Sequence, residues 1–307
     1  MALKPARLLD PKNDVIFKKI FGQNPDLIRS FLNGILPLEE GHLIEEVTYL
    51  TPEQTPRIPA MKNTIADVKC KDQAGKIFIV EVQLHWTKSF QQRLLFGASK
   101  AYVQQLKSGE EYSSLCPVYG LGIVNEVFDK ETEEWFHHYR TINVKDSCKV
   151  LEGLELIFVE LPKFRPQTFA YKKMGVLWLR FLRETNSDMV DIPKEFLENP
   201  DVNKAIELTQ ESSYTMEELE AYDKYWDAVS VEKTITSDFY AKGKEEGRIE
   251  GRSEGKAEGE QIGLQKGEQK LKETARNLLK MGIDVQVIAD ATGLPVTIIK
   301  LLETQEY

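Results

Sequence analysis

Cysteine is scarce: three residues, Cys70, Cys116 and Cys148, among 307. An odd, scattered set makes neither a disulfide framework nor a zinc spacing, so these read as reduced, structural thiols. The four histidines, His42, His85, His137 and His138, show no ligand spacing either. No apolar run reaches the roughly 20 residues of a transmembrane helix, and the first residues lack the apolar core of a signal peptide. A cytoplasmic chain with no membrane partner is the expectation. Positive charge is also short: 40 Lys and Arg stand against 49 Asp and Glu, a net charge of -9. Taken whole, that balance disfavours a general nucleic-acid binder. The shortfall is uneven, however. Residues 1–110 hold 15 basic against 12 acidic residues, whereas residues 111–235 hold 14 against 24. A phosphate-bearing partner would therefore meet the first third of the chain.

What is present is apolar content of 41%, enough for one sizeable core and an appendage. "DPKNDVIFKKIFGQNPDLIRSFLNGIL" opens with two helices. Asn13 or Asp14 can cap the first, whose Ile16, Phe17, Ile20 and Phe21 recur at helical spacing, and Gly22 stops it. Pro25 can start the second, which ends near Gly34. Strand-like runs follow: "HLIEEVTYL", "NTIADVKCKD" and "KIFIVEVQLHW", the last two joined as a hairpin through "QAG". "KSFQQRLLFGASKAYVQQLKSG" predicts a helix of about twenty residues ending at Gly109. "PVYGLGIVNEVF", "EWFHHYRTINV" and "LELIFVELP" are further strands. Strands flanked by helices, with one long helix crossing between them, define an α/β sheet.

Within this pattern, "KIFIVEVQLHW" sets a carboxylate in the middle of an apolar strand. Glu81 and Gln83 share one face; Val80, Val82 and Leu84 share the other. A buried carboxylate is unfavourable unless something compensates it, and a metal ion would. Asp67 lies mid-strand in the preceding run, and the hairpin can bring it beside Glu81 on one face. Two such acids can hold a divalent cation such as Mg²⁺, which lowers the pKa of a bound water and polarises a phosphate. Gln83 can orient that water, and Asp14, at the start of the first helix, can reach in as a third acid. The alternative is plainer: the acids face solvent or pair with Lys69 and Lys71. On the helix after the strand, Arg93 and Lys100 are seven residues apart, within about 20° on one face, and can contact a phosphodiester. The same pair is equally compatible with a solvated helix face. Tyr102 points away from Arg93 and reads as packing. His85 shares the Glu81 face, as a neighbour of the metal or as a strand-end surface residue.

"DPKNDVIFKKIFG", "IADVKCKDQAGKIFIVEVQ" and "FQQRLLFGASKAYVQQLKSGEEYSSLCPVYGLGIV", in that order, resemble the PD-(D/E)XK nuclease family transposases, also called recombination-promoting nucleases. The resemblance covers roughly residues 7–165. It implies a restriction-endonuclease-like mixed sheet flanked by helices and a DNA endonuclease dependent on Mg²⁺ (or Mn²⁺), with a link to recombination or mobile elements. Asp67 then takes the Asp of the motif and Glu81 its Asp/Glu. Gln83 falls where the superfamily usually has Lys. Lysine supplies positive charge to the attacking hydroxide and the phosphate, whereas Gln supplies only a dipole. Another cation is needed; Lys69, on the Asp67 face of its strand, is the first candidate, with Lys18 and Lys100 behind it. If none reaches the site, the chain becomes a catalytically degenerate module that binds DNA or protein.

Beyond residue 167 the composition favours helices, expected near 170–185, 193–199, 201–211 and 215–232. Glycine then recurs every fourth residue from Gly243 to Gly267. Lys244, Arg248, Arg252 and Lys256 form one column at i, i+4; Glu246, Glu250, Glu254 and Glu258 form another. Each helical glycine costs about 0.8–1.0 kcal/mol relative to alanine. Such a segment is either a helix that self-associates or docks a partner helix, or a frayed charged linker. The tail, 271–307, reads as short helices with the look of a helix-turn-helix. Its acidic balance suits capping or protein docking better than phosphate. The expected order is a nuclease-like core (1–166), a helical extension (167–235), the glycine-repeat segment (236–270) and a small helical tail (271–307).

Overall fold

The computed structural model of the protein describes residues 7–38, 41–54, 64–169 and 172–304. The chain resolves into two compact units, Met1–Ala228 and Val229–Tyr307. In the first, helix α1 (Asp14–Phe21) is capped by Asn13, whose side-chain oxygen accepts from the Val15 N–H at 2.9 Å. The "DPKN" stretch before it is tied down in several directions. Lys12 donates to the Leu182 carbonyl, the Asp10 N–H donates to the Tyr222 hydroxyl, and the Asn13 amide donates to the Tyr222 carbonyl. This part of the resemblance is therefore a structural anchor. Helix α2 (Pro25–Ile35) follows, with Pro25 at its first position.

A six-stranded mixed sheet carries the fold, in the order β1-β4-β5-β6-β8-β7. Its strands are β1 (Val47–Tyr49), β4 (Val68–Asp72), β5 (Ile77–Gln83), β6 (Val118–Val124), β7 (Phe136–Asn143) and β8 (Asp146–Glu160). Two short strands, β2 (Glu53–Gln54) and β3 (Thr64–Ile65), pair apart from it. Strands β5, β6 and β8 run parallel, and helix α3 (Lys88–Val103) makes the crossover from β5 to β6. The mixed sheet with helices on both faces is restriction-endonuclease-like, as expected. On one face α1, α2 and helix α4 (Lys173–Glu184) enclose Phe17, Phe21, Phe31 and Trp178. On the other, α3 lays Phe90, Leu94 and Ala98 over Ile77 and Ile79. Gly120 and Gly122 on β6 allow that close approach. A Cβ on Gly122 would stand 3.0 Å from both the Phe90 and Phe158 rings, and one on Gly120 would stand 3.2 Å from Leu94.

Several boundaries differ from the sequence reading. The run "NTIADVKCKD" is not one strand: β3 and β4 are separated by a bend at Asp67, and its first residue, Asn63, lies outside the described residues. Helix α3 ends at Val103, with Gln104 as its C-cap, not at Gly109. The last strand begins earlier, at Asp146. Helices α5 (Lys194–Glu198) and α6 (Pro200–Leu208) pack with α4 into the same core, contributing Phe196, Val202 and Ile206. Cys148 is exposed, whereas Cys70 is buried; all three cysteines are free.

Helix α7 (Met216–Lys280) runs through the glycine repeat. Nothing lies within 4 Å of a Cβ placed on any of its seven repeat glycines. In the second unit, α8 (Val285–Thr292) and α9 (Val296–Thr304) pack Ile288, Ile299 and Leu302 against Ala275 of α7. Gly293, at φ 70°, supplies the left-handed cap between them. Among the described residues no helix is long and apolar enough to cross a membrane.

Candidate active site at the end of the central strands

The β4–β5 register pairs Val68 with Val80, and the ladder stops there. One step further, Asp67 leaves the strand, and its Oδ2 accepts the Val82 N–H at 2.8 Å. A side chain thus takes the place of a ladder carbonyl. The same step sets Asp67 beside Glu81. The hairpin that fixes this register is closed by Asp72, whose Oδ1 accepts the Ala74 and Lys76 N–H groups, and by Gly75 at φ 84°.

Both acids are pushed away from their ionised forms. Burial drives Asp67 up to about 7; the Val82 hydrogen bond opposes it, the charges of Asp14 and Glu81 add to it, and Lys18 works against it. Glu81 is 6% exposed, and burial raises it too, while Arg93 pulls it down. Arg93 is the decisive contact. Its Nε donates to Glu81 Oε2 at 3.1 Å, and a terminal nitrogen donates to Gln83 Oε1 at 2.9 Å. Helix α3 aims this side chain. Its N-cap Thr87 accepts the Phe90 N–H, and the guanidinium lies over the Phe90 ring.

The other expected residues fall as follows. Asp14 and Lys18 meet on α1 at 2.7 Å, and Lys18 stands 3.9 Å from Asp67. Lys69 pairs with Ile79, which places it on the α3 side of the sheet. It is half-buried, and its pKa is lowered by burial and by the charge of Lys100. Among the described residues it makes no ion pair with either acid. Lys100, expected on a face open to phosphate, is 8% exposed, because that flank of α3 packs on the sheet. Tyr102 packs on the α3 core, as read. His85 Nδ1 lies 3.7 Å from Glu126, and its Nε2 is buried without a hydrogen-bond partner among the described residues.

Three links were not visible in the sequence. Arg93 joins Glu81 to Gln83; its place seven residues before Lys100 suggested only a shared face. His137 Nε2 lies 2.7 Å from Glu160 Oε1, and the fully buried Glu160 also accepts the Phe128 N–H, holding the segment after β6 against the strand ends. His138 lies 2.6 Å from Glu155 in the same manner. Both pairs form across the β7–β8 ladder, which local spacing does not disclose.

Among the described residues no group of three or more His, Cys, Asp or Glu is arranged to hold a metal ion. Asp14 pairs with Lys18, and its charge also acts on Asp67. Asp67 and Glu81 nonetheless suit a divalent cation. They offer hard oxygen donors at one strand end, and desolvation raises the pKa of both, which a bound cation would offset.

A restriction-endonuclease-like sheet with a buried Glu81 and a partly buried Asp67 at the end of its β-hairpin is that of a nuclease-like domain. The model of the PD-(D/E)XK nuclease family transposases matches residues 11–235, and the chain belongs to that family. No curated protein and no solved structure matches the chain.

Proposed function

We propose that the chain is a Mg²⁺- or Mn²⁺-dependent DNA endonuclease in which Asp67 and Glu81 hold the cation and Arg93 replaces the missing motif lysine. The observation that carries this reading is the double contact of Arg93 with Glu81 and Gln83. A cation held by the two acids supplies charge to the phosphate and an ionised water. The residues of the chain do the rest. Gln83, its oxygen held by Arg93, keeps its amide N–H groups for the water or a phosphate oxygen. Arg93, with 46% of its side chain exposed, can turn its outer nitrogens to a phosphodiester while remaining beside Glu81. Lys69 and Lys100 add positive potential behind the acids, and Lys18 places another cation near Asp67. Asp14 bears on the site through its charge on Asp67 and its hold on Lys18. Residues 236–270 of α7, uncovered along their glycine stripe, would join copies of the chain by setting the acidic column of one helix against the basic column of another.

The deciding experiment is plasmid cleavage with Mg²⁺ by the wild type, Asp67→Ala and Glu81→Ala. Equal cleavage by all three would place the activity elsewhere. A second reading has one observation in its favour: Arg93 covers Glu81 where a cation would bind. In that reading the chain binds DNA without cutting it, and the result would be metal-independent binding with no product.

A further inference from the structure

On the opposite face of the sheet from Glu81 lies a cavity of about 670 Å³, roofed by Pro37 and Leu38 after α2. Its floor is built from the first residues of β6 and the paired stretches of β7 and β8. Tyr119 sits there, opposite Phe78 in the β5–β6 register and stacked on its ring at 5.4 Å. Phe78 belongs to the core of α1 and α2, whereas Ile79 and Glu81 face α3. The cavity is thus separate from the acidic site by face as well as by position along the strands.

The charges in the cavity are unequally committed. Glu155 is engaged: His138 lies 2.6 Å from it, and burial, the charge and hydrogen bond of Glu155, and the charges of Glu152 and Asp72 push the Tyr119 hydroxyl up to about 12. Lys76 and Arg140 also line the cavity, and among the described residues neither side chain has a carboxylate partner. His42 and His138 complete the same walls, His138 being held by Glu155. Glu152 is the one acid of the lining left without a cationic partner among the described residues, and it is exposed.

We infer that this cavity binds a phosphate monoester on a molecule of nucleotide size. Lys76 and Arg140, which make no ion pair among the described residues, suit a compact dianion, and the guanidinium fork matches phosphate oxygens; Glu152 and Glu155 on the same walls oppose a ligand of higher charge. The volume lies within the roughly 300–1,000 Å³ usual for small-molecule sites. Tyr119 offers a polar edge and an aromatic body to the rest of such a ligand. The chemistry is shared by free phosphate, a mononucleotide and the 5′-phosphate of a DNA strand.

Calorimetric titration of the full chain in EDTA, without divalent metal, tests the inference. The probes are inorganic phosphate, deoxyadenosine monophosphate and a 5′-phosphorylated oligonucleotide beside its unphosphorylated form. Saturable binding of at least one phosphate-bearing probe is expected, weakened at least tenfold by Arg140→Ala and by Lys76→Ala and partly recovered in Arg140→Lys. The preferred probe identifies the source of the phosphate. No binding by any probe overturns the inference, as does binding that survives the Lys76→Ala/Arg140→Ala double substitution. So does binding lost with Arg93→Ala, which would put the anion at the acidic site. Thermal melting of each variant separates misfolding from lost binding. If Arg140→Ala unfolds, Lys76→Gln carries the same expectation. Cleavage is no part of the readout, so failure here leaves the nuclease proposal standing.

Discussion

Arg93 holds Gln83 at 2.9 Å while its Nε holds Glu81 at 3.1 Å, so the position that lacks the motif lysine is bonded to an arginine from the following helix. If that arginine supplies the missing charge, Arg93→Ala lowers Mg²⁺-dependent cleavage by about a hundredfold, the scale of losing one positioned electrostatic group. Arg93→Lys recovers part of the loss. Gln83→Lys, placing a cation where the superfamily usually has it, also recovers part of it in the Arg93→Ala background. Kinetics of the three variants check this. No recovery by Gln83→Lys would mean that Arg93 matters for folding or substrate binding alone.

Arg93 also sets the ionisation of Glu81. Burial raises the Glu81 pKa and the guanidinium lowers it, so Arg93→Ala raises it further. Activity that requires an ionised Glu81 then has its acidic limb moved to higher pH in Arg93→Ala. The pH dependence of kcat/KM reads this directly; an unmoved limb would separate Glu81 from the titration.

The partly buried Asp67 links stability to pH. Its folded value, about 7, stands above the ordinary 3.8, so the folded chain keeps a proton that the unfolded chain has lost between those values. This contribution to stability is full below about 3.8 and is lost as pH rises towards 7. Melting temperatures in EDTA across that range are expected to show a falling component in the wild type that is missing in Asp67→Asn. A divalent cation held by the two acids would restore stability at neutral pH in the wild type and not in the variant.

Gly122 carries the close approach of α3. An alanine there would press a methyl to 3.0 Å from both Phe90 and Phe158. Overpacking of this kind costs about 1–3 kcal/mol and shifts the helix that bears Arg93. Gly122→Ala should therefore lower both the melting temperature and cleavage. Full activity with an unchanged melting temperature would show that α3 has room to spare.

Self-association through the glycine repeat is tested by sedimentation of the full chain and of a chain ending at residue 235. A smaller assembly after truncation is expected, with dissociation of the full chain at high salt, since opposed charge columns are screened. The same mass per chain in both would remove residues 236–270 from any assembly.

Much of the site could be read from the linear chain. Alternation placed Glu81 and Gln83 on one face, a short turn ending in a glycine suited to positive φ set the hairpin register, and that register brings Asp67 beside Glu81. These are local rules: a period of two along a strand and a turn of few residues. What they miss is where the chain departs from them. Asp67 looked like a strand residue because its neighbours are strand formers, yet its side chain replaces a ladder carbonyl and breaks the strand.

The sequence by itself therefore determined the α/β class, the nearness of Asp67 to Glu81 across the hairpin and the helical character of the chain beyond about residue 167, since each follows from periodicity and near-neighbour spacing. Only tertiary structure decided that Arg93 contacts Glu81 and Gln83, that Lys100 is buried, and that His137 and His138 each meet a glutamate. Those outcomes depend on how closely α3 settles on two glycines of β6 and how β7 registers against β8. Packing between elements distant in the chain selects among side chains that local pattern leaves equivalent.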